Sequence, residues 1–398
     1  MKNRQTSNNY NTSIDGVINM KKQTRLLWID GVKYIACIGV FLSHFCSAFI
    51  GENESVQMLS PIIVKIVSIF SMFLDGAFWV RLFCILSGAL VAQKIISQKT
   101  ELIECIFMRY LRFVIPFFSA GCIFYIIEYT VGYHAVECGK VLNLAWIGTH
   151  NQVPVRFSDV LKMAFLFKYT IDASLWTILP IFAGSIIIYI INYVLFKIKI
   201  PEKYWGGIYI TLFLLSIIKY DINSLCVSCC ILGAGMIRIW DYIKFPHQLA
   251  DVFCIVVIVM VTFGHPYLLE VMSQSVDVPV RIGLDGYGYI FYAIILLLCI
   301  KNSNILKLFF EKWLSQNANL SFPIYVLHMP LIMSFSSLIC LFLYEKVSYS
   351  INFIINIIIS MLLVRGSSYC YEKYIDKYQN RLINKIKKSL NKLNNSKK

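Results

Sequence analysis

From Leu26 to Tyr371 the chain is a succession of apolar stretches, parted by short segments that hold most of its Lys and Arg. A helix needs about 20 apolar residues to cross the roughly 30 Å hydrocarbon core of a bilayer. In lipid the backbone must satisfy its own hydrogen bonds, which a helix does within one segment. We therefore read an all-α integral membrane protein with about ten transmembrane helices. Composition removes the soluble alternative: 58% of residues are hydrophobic and 15% are charged, against roughly half and a quarter in soluble domains.

The spans fall at about 27–50, 76–97, 113–130, 173–196, 205–218, 223–239, 250–264, 284–300, 320–343 and 351–370. Residues 51–75 read as an outer loop with an interfacial helix. Residues 131–172 and 265–283 read as further outer segments. Lys99 to Arg112 reads as an inner loop, and Ile305 to Leu314 as an interfacial helix on the inner face. Residues 1–26 and 371–398 are basic tails around one membrane domain, 27–370, and Met20 offers an alternative start. On this topology 27 of the 37 Lys and Arg lie inside and 9 outside, with Lys33 in the first span. The bias places both termini in the cytoplasm.

The same bias accounts for the net charge of +15, so the expected partner is the lipid bilayer and not nucleic acid. Most of the 13 cysteines sit in apolar runs, where cysteine behaves as a small hydrophobe. Cys226 and Cys229 have redox-motif spacing, but they lie in a hydrophobic segment with no βαβ context, and packing is the expected role. We expect no disulfide framework and no metal site.

Lys33 and His44 stand out in the first span. Eleven residues of helix rise about 16 Å over three turns, which puts both side chains on one face. Each alone has a plain explanation, a snorkelling anchor for Lys33 and an interhelical hydrogen bond for His44. Together they are functional candidates, because ionisable groups inside a membrane are costly and histidine suits proton transfer near neutral pH.

Five segments carry a family resemblance. Ile29-Asp30-Gly31-Val32-Lys33 followed by His44 is similar to the opening motif of the membrane acyltransferase-3 family. Phe83-Cys84-Ile85-Leu86-Ser87-Gly88 resembles its second-span segment. Arg109-Tyr110-Leu111-Arg112 with Pro116 resembles its paired arginines and proline. Ser174-Leu175-Trp176-Thr177 and Ser321-Phe322-Pro323-Ile324-Tyr325-Val326-Leu327-His328 resemble its later motifs, and all five stand in the family's order. The resemblance implies a ten-span enzyme of the bacterial cytoplasmic (inner) membrane. Such an enzyme takes an acyl group, most simply acetyl, from cytoplasmic acyl-CoA to a hydroxyl of a surface glycan, with no permanently bound cofactor.

On that resemblance His44 and Lys33 are the catalytic pair. Lys33, Arg109, Arg112 and Ser87 would bind the donor, with guanidinium suited to phosphate. Arg81, Trp176, Tyr325 and His328 would bind the acceptor. Ser87-Gly88 and Pro116 also suit helix packing and a kink. Two positions depart from the pattern. Many members hold a Glu where this chain has Ile181, so Glu128, Asp172 or Asp285 would have to serve instead. Arg81 stands where many members have an acid or a neutral residue, and would meet an anionic acceptor or pair with Asp75 or Glu128.

The 28 residues after the last span leave no room for an appended extracytoplasmic domain, so transfer is expected to be direct or completed by a separate partner. Homodimerisation is left open. The competing readings are a transporter of polysaccharide or lipid-linked intermediates, and an inactive membrane scaffold.

Overall fold

The computed structural model describes residues 26–50, 58–70, 74–150, 153–218, 221–260 and 278–395. The N-terminal tail with Met20, and residues 265–277 of the expected outer segment, lie outside the described residues. Every regular element among the described residues is helical. The first is α1 (Leu27–Phe49), followed by α2 (Pro61–Ile69), α3 (Gly76–Ala92) and α4 (Lys99–Thr130). Three short helices come next, α5 (Ala135–Leu142), α6 (Ala145–Gly148) and α7 (Phe157–Leu166). A 3₁₀ turn (Ala173–Thr177) opens α8 (Ile178–Lys197), and α9 (Trp205–Ser216), α10 (Ile222–Ile239), α11 (His247–Val259) and α12 (Val278–Asn302) follow.

The C-terminal part begins with α13 (Asn304–Phe309), which continues through a π turn (Phe310–Leu314) and a 3₁₀ turn (Ser315–Leu320) into α14 (Ser321–Leu331). A second π turn (Ile332–Ser336) leads to α15 (Ser337–Leu343), and α16 (Tyr349–Tyr371) and α17 (Lys377–Asn395) end the chain. Six helical runs are long and apolar enough to cross a membrane: Leu27–Phe49, Lys99–Thr130, Ala173–Lys197, Ile222–Ile239, Asn304–Leu343 and Tyr349–Leu390. The other expected spans coincide with shorter helices, α3, α9, α11 and the Tyr287–Asn302 part of α12. This is a multi-pass helical membrane protein.

Two expectations need correction. Lys99 to Arg112 is not a loop but the first part of the 32-residue α4. Glu101, Leu102 and Glu104 are good helix formers and nothing breaks the pattern before Pro116; a basic inner segment need not be a loop. Ile305 to Leu314 is likewise not a separate interfacial helix but the head of the 40-residue run Asn304–Leu343. Past Tyr371 the basic tail is helical. A π turn (Glu372–Asp376) carries α16 into α17, where Gln379 is buried and hydrogen-bonds Ser119 of α4 and, at 3.3 Å, the Tyr371 hydroxyl.

Glycine sets the closest helix contact. A Cβ on Gly88 would lie 1.9 Å from the Cys230 carbonyl oxygen, and one on Gly233 would lie 1.8 Å from that of Ile85. α3 and α10 therefore cross with their backbones touching, which small residues permit in membrane bundles. Gly88 is a packing residue.

A proline shapes the other wall of the site. Pro330 removes one N–H from the helical ladder of α14, and the π turn follows directly. Within that turn the Met333 carbonyl accepts the His134 backbone N–H at 3.0 Å. This bond anchors the start of α5 on the bundle and brings the α5–α6 segment in beside α1.

Candidate active site

α1, α3, α6, the 3₁₀ turn before α8, α10 and α14 enclose a cavity of about 290 Å³. His44 contributes from α1, Arg81 from α3, Trp176 from the 3₁₀ turn and Tyr325 from α14. These come from four separate elements, up to 281 positions apart, and the fold brings them to one space. His328 stands directly behind it, fully buried.

The two histidines form a polar dyad. His44 Nδ1 lies 2.8 Å from His328 Nε2. Their ring centres are 5.0 Å apart and the planes 14° apart. That separation is close to the nitrogen–nitrogen distance plus both ring radii, so the rings meet edge to edge, nearly in one plane. The other nitrogen of His328, Nδ1, lies 2.8 Å from the Tyr325 carbonyl and 3.3 Å from that of Ile324. Carbonyls only accept, so Nδ1 carries the proton and Nε2 of the neutral ring accepts. His44 must then donate from Nδ1, which leaves its Nε2 lone pair as a base. His328 fixes the tautomer of His44, as a carboxylate or carbonyl does in other histidine sites.

Tyr325 ties the dyad to the 3₁₀ turn. Its hydroxyl donates to the Ser174 carbonyl at 2.7 Å, so the Thr177 hydroxyl donates to it at 2.6 Å. Ser174 is held in turn by Asp172, whose Oδ1 accepts its N–H at 2.8 Å and its hydroxyl at 2.6 Å. Asp172 Oδ2 is buried with no hydrogen-bond partner among the described residues. Of the carboxylates weighed for the site, Asp172 is the one joined to it. Glu128 is partly exposed on α4, and the Asp285 side chain lies outside the described residues.

The Asp172 linkage has a stability consequence. Burial pushes its carboxyl from the usual 3.8 up to about 7. Between those values the folded protein holds a proton that the unfolded chain has released. Stability therefore falls as pH rises through that window and levels off above it. Asp172→Asn keeps the oxygen that accepts from Ser174 and removes the titration. In thermal unfolding of the solubilised protein, the variant should match wild type near pH 4 and exceed it by pH 8, by on the order of 4 kcal/mol for a shift of this size. A pH-independent difference would contradict the shift.

A second polar cluster lies deeper in the bundle. Arg109 of α4 donates through Nε to the Ser185 hydroxyl at 3.1 Å and through Nη2 to the Ser87 hydroxyl at 2.9 Å. Its guanidinium stands 4.8 Å from the Phe113 ring centre. No carboxylate pairs with it among the described residues. Thr177, Ile181 and Ser185 follow at four-residue spacing and so share one face of the helix. Thr177 touches the cavity network and Ser185 touches Arg109, so Ile181, buried between them, separates the two clusters with an apolar side chain.

Other expected site residues stand apart. Lys33 is ion-paired to Asp30 at 2.6 Å within α1, and no described contact joins it to the cavity or to Arg109. Arg112 is exposed, one turn beyond Arg109. Arg81 is buried, 3% exposed, and donates through Nη1 to Cys226 Sγ at 3.4 Å. Asp75 caps α3 through the amides of Ala77 and Phe78 and accepts from the Tyr289 hydroxyl.

A family model described as an acyltransferase domain matches residues 26–370, from the first helix to the end of α16. The chain belongs to the acyltransferase-3 family. No curated protein and no solved structure matches it. This acyltransferase carries both clusters inside the matched region.

Trp146 escaped the sequence reading. It comes from the polar stretch 131–172, yet α6 delivers it to the cavity wall, with its ring centre 6.0 Å from that of His44. His150 packs behind it at 4.3 Å and donates from Nδ1 to the Trp146 carbonyl at 2.7 Å. The available signal was local: Ala145-Trp146-Ile147-Gly148 is one of several short apolar patches in this mixed stretch.

Proposed function

We infer that this acyltransferase moves an acyl group, most simply acetyl, from cytoplasmic acyl-CoA to a hydroxyl of a glycan on the far side of the cytoplasmic membrane. The observation that carries this reading is the His44–His328 dyad, which leaves one imidazole lone pair in a cavity walled by indoles and hydroxyls. Arg109, which has no carboxylate partner among the described residues, lies deeper against the helix face that carries Thr177 and Ser185 and suits an anionic or polar donor. The positive-inside bias supports a cytoplasmic position for the end of the bundle bearing Arg112 and α17.

In the transfer step the acceptor hydroxyl gives its proton to His44 Nε2 as its oxygen attacks the thioester carbonyl carbon. The carbon–sulfur bond then breaks, and the departing thiolate takes the proton from His44 to leave as the CoA thiol. Electrons and protons balance without a further reactant, and His44 returns to its starting form. His328 holds Nδ1 throughout and favours the imidazolium formed part-way.

The reading is tested on cells. Acetate released by mild base from the surface glycan should fall to background in a strain carrying His44→Ala, with the protein still present in the membrane. Unchanged release would remove the enzyme reading. The donor assignment is tested separately. Arg109→Ala should weaken acyl-CoA binding to the purified protein by about tenfold or more, and an unaltered affinity would reject that role.

A further inference from the structure

Packing accounts for one face of the C-terminal helix and leaves the other outward. Gln379 and Ile383 of α17 are buried where it rests on α4, and Ser119 and Tyr371 hold Gln379 there. The rotation of the helix is thereby set. Lys377, Arg381 and Lys385 form an exposed row at four-residue spacing, and Tyr374, Tyr378 and Leu382 form an exposed row beside it. The Arg381 guanidinium stands 5.5 Å from the Tyr378 ring centre, so the two rows touch. From Lys377 onward the sequence holds eight Lys or Arg and no Asp or Glu. Of the two acids in the preceding turn, Glu372 pairs with Lys377 at 3.9 Å and Asp376 accepts from Asn380 at 3.0 Å. A cationic row flanked by exposed tyrosine and leucine suits the surface of an anionic leaflet. The apolar side chains enter the headgroup boundary while the cations meet phosphate.

The apolar row leads into a groove. Tyr374 and Ile375 help to line a space of about 330 Å³ between α4, α14 and α16. Ile123 and Ile127 form one wall, and Leu327 and Pro330 form another. The hydroxyls of the lining are turned elsewhere: Ser367 donates to the Leu363 carbonyl at 2.7 Å and Tyr371 to that of Pro116 at 3.1 Å. What faces the groove is carbon. From Ser367 to Ile375 it follows roughly 12 Å of helix rise, enough for a stretch of hydrocarbon chain. A hydrocarbon groove that ends at a cationic row matches the order of tail and phosphate in a phospholipid.

We propose that this surface binds one anionic phospholipid, with an acyl chain in the groove between α4, α14 and α16 and the headgroup phosphate on the Lys377–Arg381 row. Guanidinium matches a phosphate with two parallel hydrogen bonds, and Lys385 adds to the positive field of the same row. A zwitterionic lipid carries its own cation beside the phosphate, so it gains less from the row. Burial of the chain in the groove contributes the part of the affinity that does not depend on charge.

The test is lipid binding to the purified full-length protein in neutral detergent, read by native mass spectrometry. The probes are dioleoyl phosphatidylglycerol, dioleoyl phosphatidylcholine and dihexanoyl phosphatidylglycerol. At low salt the first should bind about tenfold more tightly than the second, through its charge, and about tenfold or more above the third, through its chain. Lys377→Gln with Arg381→Gln, both at exposed positions, should erase the preference for phosphatidylglycerol over phosphatidylcholine. Should that variant not fold, loss of the wild-type preference at high salt supports the site and a salt-independent preference overturns it. Equal binding of the two dioleoyl lipids, or a preference that survives the double substitution, overturns it too. Equal binding of the long- and short-chain phosphatidylglycerols removes the groove from the site and overturns the proposal. Displacement of the lipid by inorganic phosphate at matched concentration does the same, since the row would then be an anion site without a lipid.

Discussion

Replacing His44 with alanine is expected to lower acyl transfer by about 10²–10⁴, the usual contribution of a positioned general base. Release of CoA thiol from purified protein supplied with acyl-CoA and acceptor measures it. The expectation rests on the tautomer argument. His328 Nδ1 can only donate to the Tyr325 and Ile324 carbonyls, so its Nε2 must accept from His44. The remaining nitrogen of His44 is then the unprotonated one in the cavity. Fold should survive the substitution, because His44 is only half-buried and the alanine side chain fits within the cavity. His328 would lose one donor while keeping both carbonyl contacts through Nδ1. A rate within a few-fold of wild type would mean that the base is elsewhere.

Replacing Gly88 with valine is expected to abolish the folded protein. A single Cβ at this position already falls 1.9 Å from the Cys230 carbonyl oxygen, and the atom it meets belongs to backbone. No rotamer change relieves such a contact, so α3 and α10 must part. Overpacking commonly costs about 1–3 kcal/mol even where side chains can adjust, and here the two helices that carry Arg81 and Cys226 would separate. Gly207 is the matched control. A Cβ there meets nothing within 4 Å, so Gly207→Ala should leave the yield of monodisperse protein unchanged. Recovery of Gly88→Val at wild-type yield and thermal stability would contradict the close crossing.

The helices were legible because their apolar length has no other use in lipid, and all of the expected spans that lie within the described residues are helical. The convergence of His44, Trp176 and Tyr325 was legible only as motifs in order, and Arg81 only as a departure from the pattern. Nothing local in Leu-Trp-Thr or Ile-Tyr-Val-Leu-His states that Thr177 and Tyr325 share a hydrogen bond across 148 positions. Trp146 was hidden for a related reason. Its segment looks like an outer loop by composition, and the bond that seats it runs from His134 to a carbonyl in a π turn after Pro330, which is a tertiary fact. Spacing alone did not show the partner of Lys33, since Asp30, three residues away, pairs with it on the same helix face. The inner loop was misjudged because charge reports the side of the membrane and says nothing of secondary structure.

The position of Ile181 gains meaning from the fold. On its helix face it separates the Thr177–Tyr325 network from the Ser185–Arg109 cluster, and its own carbonyl accepts the Ser185 hydroxyl at 2.7 Å. The carboxyl function expected there is absent, and the nearest carboxyl in the network is Asp172, reached through Ser174.

The central claim is that one chain passes an acyl group through the membrane from an inner donor to an outer hydroxyl by way of His44. Reconstitution tests it most directly. Proteoliposomes are loaded with acetyl-labelled acetyl-CoA, and the saccharide acceptor is supplied only outside. Label should appear on the outer saccharide with wild-type protein and stay at background with His44→Ala. Label that appears only when donor and acceptor share one compartment, or that appears equally with His44→Ala, would contradict the account.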